Sequence, residues 1–263
     1  MDNVSIKLQG GLGNYLFQIA CAYAYALKHE KEIVLTETDS IVCHEALAFY
    51  KFNILNKIQF LSNRNYNDFK IFTEPISFDY EEIPFIKGNV YLANYFQSEK
   101  YFKDYEKQIK ELFSFPIEIV EDIKNKHEKL LDKKPCFIHV RRGNYLKTQD
   151  YHPVQDLSYY MKAIKEMGKT TTFAVFSDDI AWCKENFPNS ENFVFIEGQK
   201  DFEDLLLMSL CENGIIGNSS FSWWGAWLIA NENKKIIAPK IWFGKSFSQF
   251  NTKDLYCENW IKI

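Results

Sequence analysis

From residue 136 onward, short apolar runs alternate with longer stretches in which apolar residues return every three or four positions. "CFIHV", "TTFAVFS", "NFVFIE", "IIGN" and "KKIIAPK" are too short for helices and rich in β-branched or aromatic residues. Between them stand "DLSYYMKAIKEMG", "DIAWCKENF", "DFEDLLLMSLCENG" and "SSFSWWGAWLIANEN", all with helical periodicity. Strands apolar on both faces and separated by helices predict a parallel, doubly wound α/β sheet covered on both sides. Ligands of such sheets bind beyond the carboxyl ends of the strands. The residues that follow the strands are therefore the ones of interest: Arg141 and Arg142, Asp178 and Asp179, and Asn218 to Ser220.

The amino-terminal part opens with a similar unit. "VSIKL" reads as a strand, "GGLGN" as a loop, "YLFQIACAYAYALKHE" as a helix and "EIVLTE" as the next strand. Residues 40–130 are less regular, with helical stretches near 99–113 and 116–131. "DKKP" at 132–135 is charged, polar and closed by proline, so it marks the expected boundary. The expectation is two α/β lobes, 1–132 and 133–263, with a cleft between them.

Composition narrows the function. With 31 basic and 35 acidic residues the net charge is −4, so there is no bulk basic field for nucleic acid or an anionic membrane. Any bound anion must be gripped locally, and "HVRRGNY" is the obvious place. The six cysteines (Cys21, Cys43, Cys136, Cys183, Cys211, Cys257) are scattered singly and suit neither a zinc site nor a disulfide framework. No signal peptide and no run of about 18 apolar residues stands in the chain. A soluble, cytoplasmic protein is expected. The 23 Phe and 15 Tyr are read mainly as core.

Four motifs carry chemistry. "GGLGN" puts glycines between a strand and a helix, where backbone N–H groups face a ligand. Gly11 and Gly13 match two positions of the dinucleotide fingerprint, but Leu16 stands at the third, and Glu37 or Asp39 would have to hold the ribose. Phosphate or sugar is the preferred ligand there. In "FIHVRRGNY", His139 and Arg141 point to one side of the strand and Arg142 to the other. Two guanidinium forks at a strand end are costly to bury unless an anion or a structural carboxylate meets them. In "VFSDDI", Asp178 and Asp179 have three readings: a helix cap, a metal held through nucleotide phosphates, or acceptors for a base or ribose. In "IIGNSSFSWWGAW", Asn218, Ser219 and Ser220 suit a helix start that can also meet an anion. Trp223, Trp224 and Trp227 read as core.

"GGLGNYLFQ", "HVRRGNY", "FSDD" and "GNSSFSWWGAW", in this order and together with "IIAPKIWF", resemble the motifs of the α-1,2-fucosyltransferase family. The resemblance covers residues 5 to about 245. It implies an inverting, metal-independent transfer of L-fucose from GDP-fucose to a galactose 2-hydroxyl, with no further cofactor. The acceptor would be a galactose-terminated oligosaccharide or a lipid-linked glycan, the latter leaving room for contact with a membrane surface. The implied fold is two Rossmann-like lobes of the glycosyltransferase-B type with the donor in the inter-lobe cleft. By the same resemblance Arg141 meets the β-phosphate with Arg142 beside it, while His139 and one of Asp178 or Asp179 read the guanine. Ser219, Ser220 and Phe221 lie around phosphates and base, and Asn14 lies near the fucose. Tyr15 stands where the family often has Gln, and Asn144 where it often has Asp; a structural role for that aspartate is favoured.

Two tasks follow for such a reaction. Charge on the departing GDP must be neutralised, which falls to Arg141, Arg142 and the N–H groups after Asn218. The acceptor hydroxyl must lose a proton, for which Asp150 and His152 are candidates beside a transition state with no dedicated base. Other classes stay open: a catalytically impaired GDP- or sugar-binding homologue, and an NAD-dependent oxidoreductase using Gly11, Gly13 and Glu37.

Overall fold

The computed structural model describes residues 1–263 apart from 37–39, 43–46, 62–64, 76–77 and 169–170, with the backbone alone described at 40–42. Glu37, Asp39 and Cys43 lie outside the described residues. The chain divides into two compact units, one of Met1–Pro116 with Phe250–Cys257, the other of Ile117–Gln249 with Glu258–Ile263. The helices at 117–131 thus belong with the second unit, where Ile117–Lys126 packs against Asp201–Ser209, and not with the segment before "DKKP".

In the first unit, strands β1 (Asn3–Ile6), β2 (Glu32–Ile33), β3 (Phe69–Thr73) and β4 (Asn89–Ala93) form a parallel sheet in the order β2-β1-β4-β3. Helix α1 (Leu12–Lys28) follows β1 and packs on it. Nearly every residue from Leu12 to Ala26 is buried, so α1 is a core helix and shows no solvent-facing stripe. Its one wholly buried polar side chain, Gln18, is satisfied: Oε1 accepts from Gln9 N–H at 3.0 Å, and Nε2 donates to the carbonyls of Gln9 and Asn94. "EIVLTE" is divided rather than continuous. Glu32–Ile33 pairs with β1, whereas Leu35–Thr36 pairs with Phe60–Leu61.

The second unit holds a six-stranded parallel sheet. Its strands are β5 (Cys136–Val140), β6 (Phe173–Ser177), β7 (Phe193–Phe195), β8 (Asn213–Ile215), β9 (Ile236–Ala238) and β10 (Ile261–Lys262), in the order β7-β6-β5-β8-β9-β10. The order is that of a Rossmann sheet, 3-2-1-4-5-6. Helices α2 (Leu157–Met167), α3 (Ile180–Asn186), α4 (Asp201–Ser209) and α5 (Ser220–Leu228) make the crossovers. All five residues of β5 are buried, as a central strand covered on both faces requires. The tryptophans of α5 are core: Trp223 and Trp224 are fully buried, their rings 5.2 Å apart, and Trp223 lies 5.4 Å from Trp260. Among the described residues five cysteines are free thiols, and no helix is long and apolar enough to cross a membrane.

Candidate functional site

Strand order decides where a site can form. In the second sheet the chain runs β5-β6-β7 to one side, then crosses to place β8 on the other side of β5. The crossover loops diverge there, leaving a crevice at the carboxyl ends of β5 and β8, the switch point where doubly wound sheets bind nucleotides. Arg141 follows β5 directly, and Gly217 and Asn218 follow β8. Sequence pattern marked both segments; the sheet order makes them neighbours.

The arginines are ordered by groups from β5 and β6. Arg141 Nη1 lies 3.1 Å from Asp178 Oδ2, and its Nη2 donates to Asn144 Oδ1 at 2.7 Å. Its guanidinium sits 5.3 Å from the centre of the Tyr145 ring. Arg142 donates from its backbone N–H to Asp178 Oδ1 (2.8 Å) and from Nε to Asp179 Oδ2 (3.0 Å). Its guanidinium stacks 4.0 Å from the centre of the Trp182 ring. The structural carboxylate reading of the pair is therefore realised, but within one unit. It leaves both Nη groups of Arg142, four N–H donors, without a partner among the described residues. Asp179 holds the Nε edge of this fork, while Asp178 fixes the backbone behind it.

Asp179 also caps α3, accepting from Trp182 N–H at 3.3 Å. The cap reading of "FSDD" thus holds for one of the two, and the same carboxylate aims Arg142. A glycine is needed next to the pair, because a methyl group on Gly143 would stand 2.3 Å from Asp178 Oδ2. Gly143→Ala should push that carboxylate off Arg141 and the Arg142 N–H. We expect the loss of these contacts to lower the melting temperature by a few degrees, read from a thermal melting curve.

His139 is buried, and its Nδ1 has no partner. Burial, with the Arg141 charge adding to it, drives the imidazole pKa down to about 3, so the ring is neutral at physiological pH. Its ring lies 5.5 Å from that of Phe221. Asn218 is anchored through Nδ2 to the carbonyls of Pro153 (2.9 Å) and Trp242 (3.0 Å), and its carbonyl accepts from Tyr145 Oη–H at 3.2 Å. Its Oδ1 is buried and unpaired. Two such unpaired polar atoms at one strand-end crevice are what a ligand with complementary donors and acceptors would satisfy. Ser219 caps α5 by accepting from Phe221 N–H at 3.3 Å, and Ser220 is the first residue of the helix.

His152 is stacked on Tyr145, 4.8 Å between centroids, with Phe243 and Phe247 around it; burial and then the Arg141 charge lower its pKa. Asp150 is exposed, its carboxylate without a hydrogen bond among the described residues, while its carbonyl accepts from Ser246 N–H. Gly11 and Asn14 belong to the first unit, Gly11 as the N-cap of α1. Sequence reading missed Tyr145 and Trp182, the two rings that flank the arginines. The available signal was positional: each lies three or four residues beyond a motif residue, within one helical turn of it. Asn144 retains an acceptor oxygen for Arg141, the part of a carboxylate that this hydrogen bond uses.

Rossmann strand order, with two arginines and two unpaired buried polar atoms at the switch point, defines a doubly wound α/β protein with a candidate ligand crevice. The chain belongs to glycosyl transferase family 11, whose family model matches residues 2–263. It is 32% identical over 291 residues to an α-1,2-colitosyltransferase of Escherichia coli, covering 100% of this chain and 99% of that protein. It is 28% identical over 302 residues to the O-antigen biosynthesis glycosyltransferase WbnK of Escherichia coli, covering 97% and 99% respectively. Among solved structures, NodZ α-1,6-fucosyltransferase soaked with GDP-fucose aligns with a TM-score of 0.58 at 14% identity, over 91% of this chain and 95% of that one. The shared feature at that identity is the fold, parallel-sheet α/β of the glycosyltransferase-B type.

Proposed function

We propose that this glycosyltransferase moves L-fucose from GDP-β-L-fucose to the 2-hydroxyl of a terminal galactose, forming an α-1,2 linkage with inversion. The observation that carries the reading is the clamped arginine pair at the switch point, with the Nη fork of Arg142 open. Diphosphate oxygens match that fork in shape and charge. Displacement at the anomeric carbon builds charge on the departing diphosphate, and donors fixed in advance stabilise it without reorganising. Neutral His139 and the Oδ1 of Asn218 are the groups offered to the base and ribose. For the acceptor proton, exposed Asp150 is preferred over His152, which its aromatic neighbours hold in a packed stack. The arginines replace a metal, so excess chelator should leave the rate unchanged; loss of most activity would restore the metal reading of Asp178 and Asp179. The five free thiols among the described residues suit a cytoplasmic location.

A second donor follows from the relative named as a colitosyltransferase. Colitose is L-fucose without its 3-hydroxyl, so both sugars place the same demands on the diphosphate site. Incubation of GDP-fucose and GDP-colitose with a panel of β-galactosides, followed by linkage analysis, tests both readings. An α-1,2-fucosyl galactoside as main product supports the first, and preference for GDP-colitose supports the second. Binding of GDP with no transfer from either donor would point to an impaired homologue.

A further inference from the structure

The first unit has a switch point of its own. Its chain runs from β1 to β2 on one side and later places β4 on the other side of β1, so the crevice opens at the carboxyl ends of β1 and β4. Beside the Gln18 amide, which reaches the Asn94 carbonyl, a hydrogen bond between two side chains spans it: Gln97 Nε2, from the segment after β4, donates to Asn14 Oδ1, at the start of α1, at 2.7 Å.

Both ends of this bond are held firmly. Gly10 has a φ of +89°, and a methyl group there would stand 2.2 Å from Asn14 Nδ2, so the glycine both makes the turn and admits the amide. On the other side, Asn94 (φ 117°) and Phe96 (φ 50°) adopt left-handed conformations that non-glycine residues rarely take. Glu74 meets both, Phe96 through its buried carboxylate and Asn94 through its backbone carbonyl. Its Oε2 accepts from Phe96 N–H at 2.7 Å and its Oε1 from Tyr101 Oη–H at 2.9 Å, while its carbonyl accepts from Asn94 Nδ2 at 2.9 Å. Strain maintained by a dedicated buried carboxylate is a pattern of functional loops.

The bond leaves the Asn14 amide N–H₂ and the Gln97 carbonyl oxygen without hydrogen-bond partners among the described residues, and both side chains are half-buried. A donor and an acceptor fixed side by side match a hydroxyl group, which needs one of each. We infer that Gln97, paired with Asn14, is a specificity residue that recognises a sugar hydroxyl at the first unit's switch point. The hydroxyl comes either from the sugar of the donor or from the acceptor glycan. The inference rests on the glycosyl-transfer reading above and adds to it a residue that no motif marked.

Gln97→Met keeps the length of the side chain and removes both hydrogen-bonding functions. We expect an unchanged melting temperature, GDP affinity within twofold of wild type, and about a tenfold loss confined to one sugar. If the hydroxyl belongs to the donor, calorimetry shows the affinity difference between GDP-fucose and GDP shrinking. If it belongs to the acceptor, KM rises for the galactoside that the panel identifies, while KM for GDP-fucose stays constant. Wild-type turnover with both values within twofold in the folded variant overturns this inference alone, as does an equal loss of GDP and GDP-fucose affinity. Wild-type protein that binds no GDP-sugar overturns the transfer reading and this one together.

Discussion

On the proposed GDP-fucose reading, Arg141→Ala and Arg142→Ala should each lower turnover by about 10²–10³-fold while the protein stays folded. Each guanidinium meets an aspartate that is itself partly exposed, so truncation strands no deeply buried charge, and the fold should bear the change. The kinetic effect has two distinct origins. Without Arg142 the open Nη fork is gone, and Asp179 keeps only its cap on α3. Without Arg141 the Asp178 carboxylate still holds the Arg142 N–H but loses its ion-pair partner. Arg142→Lys should recover little, because an ammonium cannot donate to Asp179 and present a two-pronged fork at once. Steady-state kinetics beside a melting curve decides the matter. A folded Arg141→Ala protein that loses less than about tenfold leaves the phosphate assignment without support.

Glu74 should contribute a fall in stability between pH 5 and pH 8, and Glu74→Gln should remove that contribution. Burial raises the Glu74 carboxyl from 4.5 to about 7, and hydrogen bonds from Phe96 N–H, Tyr101 and Tyr95 N–H only partly offset it. The folded state therefore holds a proton that the unfolded chain releases near pH 4.5. The stabilisation is complete below that value and is lost as pH rises through about 7, for a total on the order of 3 kcal/mol. Tyr101 donates to this carboxyl and Cys21 feels its charge, and burial raises both well above their ordinary values, so neither ionises across the range. His139 works in the opposite sense: its lowered pKa gives stability above about 6.5 that acid removes. Asp204, raised by burial to about 6, adds to the Glu74 trend. The wild-type curve sums these effects, so the difference in urea midpoint between wild type and Glu74→Gln, at each pH, isolates Glu74. Glutamine keeps the carbonyl for Phe96 N–H and can turn its amide toward the Tyr101 oxygen. Parallel curves for the two proteins would mean that Glu74 does not titrate in this range.

Much of the fold is written locally. An apolar strand covered on both faces, as at Cys136–Val140, and a helix with a capping residue before it, as at Asp156 or Ser219, depend on side chains close in sequence. Parallel strands, crossover helices and the position of each motif at a strand end were accordingly legible. The same holds for Arg141, Arg142 and Asp179, whose residue types are expensive to bury without a partner and so mark themselves. What the sequence left undetermined depends on contacts between distant segments. The two-residue strand at Ile261–Lys262 is too short to show a period, and becomes a strand only because the edge of Ile236–Ala238 receives it. The segment Phe250–Cys257 joins the first unit because Asp254 accepts from Tyr80 N–H and pairs with Lys100 at 2.6 Å. Strand order, which sets Asn218 beside Arg141 and Gln97 beside Asn14, is likewise a tertiary outcome. Local preference specifies what each segment becomes; long-range pairing, with its loop-closure cost offset only by the assembled core, specifies which segments meet.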